Sequence, residues 1–156
     1  MYREMRRKKN QLPDEKAYEL LNIAQWGVLS LCDGNGLPYG VPLSHALVGN
    51  TLVFHCAMEG QKLDFIGENI NGCYTAVASA EVLRSHGSIK YESVMAFGPM
   101  RIVHDPAQRL AGFDAINAKY TETYELGRSF VEKWGANAAL IAMDIERITA
   151  KGNKED

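Results

Sequence analysis

A chain of 156 residues, 46% of them apolar, can bury one sizeable core and is short for two. Its formal net charge of -2 provides no global positive field, which sets aside nucleic acid and anionic membrane as partners recognised by charge alone. Arg3, Arg6, Arg7, Lys8 and Lys9 precede no signal-like apolar run, and no later run is long enough to span a bilayer. The expectation is a single cytoplasmic domain over 1–156 with a basic arm at 1–12.

In chain order, Ala17, Leu20, Leu21 and Ala24 form one helical stripe over 14–25, with Asp14 and Glu15 in the first turn where the dipole favours them. WGVLSLC at 26–32 reads as a strand. DGNG at 33–36 tolerates positive φ and predicts a hairpin into an extended segment over 37–48. Pro38 and Pro42 cannot donate to a ladder, so this second strand should be an edge with free backbone groups near Val41 to Ser44. Gly49-Asn50 makes another turn, and TLVFHC at 51–56 alternates, placing His55 opposite Phe54.

The stretch FHCAMEGQK, 54–62, ends a strand, breaks at Gly60 and delivers Lys62 to the start of a short helix over 61–69. A cation beside a small-residue loop and a helix start suits an anion. Asn71-Gly72 reads as a turn, CYTAVASA at 73–80 as a strand, and 81–90, without periodicity, as a connection. A long strand over 91–104 should bend at Gly98-Pro99. Asp105, Pro106 and Gln108 signal a helix start, and the helix carries Leu110, Phe113 and Ile116. A further helix carries Leu126, Phe130 and Trp134. The segment 138–151 reads as one alternating strand.

Cys32, Cys56 and Cys73 form no metal-ligand or C-x-x-C spacing, so they are read as buried or half-buried thiols, with no metal site. Trp26, Tyr74 and Trp134 are expected in the core, and His86 and His104 at the surface. Five or six strands joined mostly by short turns, with helices at the start and late in the chain, give an α+β, mainly β class: an antiparallel barrel with peripheral helices. No G-x-G-x-x-G follows a strand, which sets aside a Rossmann site.

GVLS at 27–30, LPYGVPLSHAL at 37–47, FHCAMEGQKLDFI at 54–66 and YESVMAFGPM at 91–100, in that order, resemble the FMN-binding split barrels of the pyridoxamine 5′-phosphate oxidase-like superfamily. Within it the chain is most similar to the branch named for 5-nitroimidazole resistance proteins. The resemblance implies a homodimer with FMN in clefts between subunits. Val41, Pro42, Leu43 and Ser44 would then lie along the flavin ring, His55, Cys56 and Ala57 beneath the ribityl chain, and Gly60, Gln61 and Lys62 at the phosphate. Ser93 and Val94 would reach the flavin of the opposite subunit.

It further implies an FMN-dependent oxidoreductase that uses NAD(P)H to reduce a small flat acceptor such as a nitroaromatic. His55 is the candidate catalytic residue, because imidazole exchanges protons near neutral pH. The chain departs from the oxidases in offering only Lys62 in the flavin loop and a short end, so pyridoxamine phosphate is not carried over as substrate. Ser44-His45 stands where many relatives of the nitroimidazole branch carry Asn, and His45 is a candidate donor to the flavin edge. A non-catalytic flavin-binding module, and a haem-binding barrel using His45 or His55, are the alternatives.

Overall fold

Local turn chemistry sets the first half of the fold. In the computed structural model, which describes residues 3–67 and 70–153, the Asp33 carboxylate accepts from the backbone N–H of Asn35 and Leu37. Gly36 takes φ +86°. This turn joins β2 (Gly27–Cys32) to β3 (Pro38–Leu43). Upstream lie β1 (Gln11–Leu12) and α1 (Asp14–Ile23), whose stripe buries Ala17, Leu20 and Leu21 as the spacing predicts. β3 pairs with β2 alone among the described strands, the edge position its prolines require.

The segment expected to be one strand over 37–48 divides at Ser44 and His45, and β4 (Ala46–Val48) follows. The division has a physical cause. The hydroxyl of Tyr120 accepts from the N–H of His45, 3.1 Å, and lies 2.9 Å from its carbonyl, occupying backbone groups a ladder would use. β5 (Thr51–Ala57) and α2 (Gln61–Ile66) come next. The rest of the helix predicted to residue 69 lies partly outside the described residues.

β6 (Asn71–Leu83) and β7 (Ser88–Ile102) form a long hairpin, so 71–72 opens a strand rather than a turn, and 81–90 is mostly strand. Its outer part pairs Glu81 with Lys90 and Val82 with Ile89, and Val82 and Ile89 are exposed. Such an arm buries neither face continuously, so no alternation marks it in the sequence. β7 continues through Gly98-Pro99 but changes neighbours there, from β9 (Arg147–Asn153) to β8 (Ala138–Asp144).

That exchange joins two antiparallel sheets. One holds β3, β2, β6, β7, β9 and β1; the other holds the end of β7 with β8, β5 and β4. This is the mainly β, α+β split barrel with peripheral helices that the sequence predicts, with nine strands among the described residues instead of five or six. The extra count comes from β1, the β3–β4 division, and the corner at Ile145 and Glu146 that separates β8 from β9.

The barrel core is built from Leu29, Leu52, Phe54, Tyr74, Val94, Ala96, Ile141 and Met143, with α1 packed against it. A second core lies on the other face of β5 and β8. There Val53, Leu140 and Ala142 meet Phe113 and Ile116 of α3 (Pro106–Tyr120). α3 starts as predicted, the Asp105 carboxylate accepting from the N–H of Gln108 at 2.9 Å. α4 (Tyr124–Trp134) packs on α3 through Gly127, where an added Cβ would come within 2.6 Å of the Asn117 Cβ.

Candidate functional site

The predicted site residues fall into three groups. The first surrounds the end of β5. Cys56 turns toward the barrel core, while the loop after Ala57 reaches Gly60 at φ +131°, a conformation that favours glycine. Lys62 folds back over it: a Cβ on Gly60 would stand 3.8 Å from the Lys62 Nζ. Burial pushes the Cys56 thiol up, and the Lys62 ammonium pulls it down in part, which places the cation within electrostatic reach of that thiol. Gln61 is exposed and Lys62 half-buried at the start of α2.

On the free edge strand β3, Val41 and Leu43 are half-buried against the barrel core and Pro42 is exposed between them. Tyr39 of β3 meets Phe65 of α2 edge-on at 5.8 Å, which fixes the two elements together. The carbonyl of Leu43 is not free: the hydroxyl of Tyr74 donates to it at 2.8 Å. Val41 and Leu43 thus sit on the β3 edge, and Cys56 to Lys62 run from the end of β5 into α2, with Tyr39 and Phe65 as the contact between β3 and α2.

His45 does not lie on that edge. It is fully buried, its Nε2 2.7 Å from the Leu21 carbonyl and its Nδ1 2.8 Å from the Tyr74 hydroxyl. Burial, and then the charge of Lys119, lower its pKa to about 4. It is neither the solvent-facing residue of an alternating strand nor a donor to a ligand edge, and both ring nitrogens already have partners.

His55 forms the second group, on the opposite face of β5 from Phe54 as predicted. Its ring lines a cavity of about 360 Å³ with Phe113, Ile116, Asn117, Tyr120, Phe130, Trp134 and Ala138. Sequence reading assigned the α3 and α4 members to packing and missed their convergence. The signal was present: Phe113, Ile116, Asn117 and Tyr120 fall at helical spacing on one side of α3. Trp134 and Trp26, expected in the core, are 56% and 59% exposed.

The third group is the outer face of the larger sheet. Ser93 lines a depression of about 300 Å³ with Met95, Phe97, Arg3, Arg147 and Lys151. Val94, its neighbour, points the other way and is fully buried in the barrel core, so of the two only Ser93 presents its side chain outward. Cys32 is exposed rather than buried, while Cys56 and Cys73 are half-buried; all three thiols are free. Among the described residues no three His, Cys, Asp or Glu side chains gather as a metal site, and no helix is long and apolar enough to cross a membrane.

Comparison with known proteins agrees with this architecture. Among curated proteins none matches the chain. A protein described as a 5-nitroimidazole antibiotic resistance protein from Bacteroides thetaiotaomicron is similar in structure, with TM-score 0.72 and 21% identity over 90% of this chain and 85% of its own. A conserved hypothetical protein from Mycobacterium tuberculosis superposes with TM-score 0.81 at 12% identity, over 97% of this chain and 91% of its own. A FAD and heme binding protein from Mycobacterium smegmatis gives 0.73 at 19% identity, over 94% and 74% respectively. At these identities the likeness establishes the fold. The pyridoxamine 5′-phosphate oxidase family model matches residues 13–152, from the start of α1 to the end of β9, and the chain therefore belongs to the pyridoxamine 5′-phosphate oxidase family.

Proposed function

We propose that this protein is an FMN-dependent oxidoreductase, a cytoplasmic homodimer that uses NADH or NADPH to reduce a small flat acceptor such as a nitroaromatic. The observation that carries the reading is the Lys62 ammonium folded back beside Gly60 at the end of β5. Family membership and the fold likeness to the FAD and heme binding protein support a flavin as the molecule bound there.

The residues fit such a group. The conformation of Gly60 leaves open a place that a side chain would fill beside the Lys62 ammonium, which suits close approach of a phosphate to a cation. The half-buried Val41 and Leu43 offer apolar surface to a planar ring, and the outward backbone groups of an edge strand can satisfy its heteroatoms. When bound, FMN supplies hydride transfer. The chain's own part is then to bind, orient and exclude water: Lys62 and Gln61 at the phosphate, Gly60 giving access, Cys56 and Ala57 along the ribityl chain, Val41 to Ser44 along the ring.

The second subunit in this reading brings Ser93 to complete the cleft. Val77 and Met95, on the outer face of the β6–β7 hairpin, are 54% and 38% exposed, apolar surface of the kind that a partner subunit covers. A haem reading through His45 is disfavoured, since neither ring nitrogen is left for iron.

Anaerobic mixing tests the proposal. The purified protein should be yellow, release FMN on denaturation, and lose its flavin absorbance when NADH or NADPH is added. A flavin that neither donor bleaches would leave a binding module and overturn the oxidoreductase reading.

A further inference from the structure

The cavity beside His55 is separate from the residues assigned to the flavin, sharing only His55 with them, and it is built rather than left over. α4 is strapped to the rest of the molecule at both ends. Near its start the Asn117 amide donates to the Gly127 carbonyl at 3.0 Å, and Arg128 reaches Asp114 at 3.6 Å. Beyond its end the Arg109 guanidinium donates to the carbonyls of Gly135 and Ala138, at 3.1 and 2.9 Å. Between these straps lies a groove that is partly open to solvent and lined by rings of α3 and α4.

The lining states what would fit. Phe113, Phe130 and Trp134 present aromatic surface, Ile116 and Val131 aliphatic surface, and no side chain of fixed charge lines the cavity. An ion entering such a space would lose hydration with no opposite charge to replace it. The Tyr120 hydroxyl is committed to backbone groups of His45 and Gln25, and the Asn117 amide nitrogen to Gly127. His55 makes no side-chain hydrogen bond among the described residues and is the polar group facing the cavity that is available to a ligand. A volume of about 360 Å³ is at the small end of ligand sites.

We propose that this cavity is a binding site for a small, uncharged aromatic molecule, seated between α3, α4 and β5 with His55 as its hydrogen-bonding contact. The site does not require flavin. The α4 face could instead be the seat of a second copy of the chain; the fixing of α4 at both ends and the unengaged His55 side chain in an otherwise uncharged lining favour a small ligand, and the test below separates the two.

Trp134 provides the readout. In full-length Trp26→Phe protein without flavin, its fluorescence should be quenched saturably by 4-nitroaniline. Anionic 4-nitrobenzoate, of similar size, should bind at least about tenfold more weakly, the cost of an unpaired charge in an apolar site. Ala138→Phe and, from the opposite wall, Val131→Phe should each abolish saturation by filling the space. His55→Leu should weaken 4-nitroaniline about fivefold or more. Only linear collisional quenching, equal affinity for the two probes, or unchanged affinity in both filled variants that still melt cooperatively would overturn the site. So would quenching that instead tracks protein concentration and a monomer–dimer equilibrium. Because flavin is absent throughout, failure here leaves the FMN reading untouched.

Discussion

Lys119 Nζ stands 3.2 Å from the Nε2 of His45, and both converge on the carbonyl of Leu21, at 2.9 and 2.7 Å. Lys119 also donates to the carbonyl of Ala24, 2.7 Å away, so one side chain of α3 closes the last turn of α1. Two groups that are ordinarily cations meet at one backbone carbonyl, and each resists charging. Burial and then Lys119 hold His45 to about 4, while burial lowers Lys119 to about 8.

A pH-dependent stability follows. The unfolded chain protonates this histidine near its ordinary value of 6.5, whereas the folded protein does so only near 4. Between those values the unfolded state binds more protons, so the protein loses stability as pH falls from 6.5 toward 4, by about 3 kcal/mol in total from this residue. Urea unfolding at a series of pH values checks it: His45→Gln should remove that part of the slope. Asp144, held below the usual carboxylate range chiefly by its hydrogen bond from Arg101, contributes above its unfolded value and loses that contribution at lower pH, which keeps the two effects apart.

Tyr74→Phe removes one hydroxyl that serves two buried partners, the Leu43 carbonyl and His45 Nδ1, both at 2.8 Å. Leaving both without that partner should cost about 1–3 kcal/mol in chemical denaturation. A loss below about 0.5 kcal/mol would mean the two groups find replacements.

Gly98→Ala should be among the most damaging single substitutions in the chain. A Cβ there would lie 1.8 Å from the Asp144 carbonyl oxygen, backbone that the β8–β9 corner holds in place. A loss above about 3 kcal/mol, or failure to accumulate folded protein, is expected. Gly36→Ala, with nothing within 4 Å but φ +86°, should cost only about 1–2 kcal/mol of backbone strain. Thermal melts of the two variants side by side test the contrast.

Lys62→Ala should weaken FMN binding by about 1–3 kcal/mol, the value of a charge-assisted hydrogen bond, measured by quenching of free FMN fluorescence. The same substitution tests the geometry without flavin. With the ammonium gone, the Cys56 thiol should titrate still higher, seen as slower alkylation at a given pH in a Cys32→Ser, Cys73→Ser background. An unchanged alkylation profile would separate Lys62 from Cys56 and weaken the phosphate assignment.

Features governed by neighbouring residues were legible in the sequence. The turns at Asp33 to Gly36 and at Gly49 follow from local φ requirements, the α3 start from the Asp105 cap, and the edge position of β3 from its prolines. The grouping of Gly60 with Lys62 was legible for the same reason, since two residues of one turn cannot lie far apart.

What only the tertiary structure decided involves partners distant in the chain. The β8–β9 corner contains no turn-forming glycine or proline; Ile145 N–H donates to the Asn50 carbonyl and Glu146 N–H to that of Phe97. The β6–β7 arm lacks periodicity because solvent reaches so much of it. His45 looked available because strand alternation cannot foresee Tyr74, Lys119 and the end of α1 closing over it. His55 was placed on its correct face by alternation alone, but that this face looks into an aromatic cavity depends on where α3 and α4 pack, which a strand's own residues do not encode.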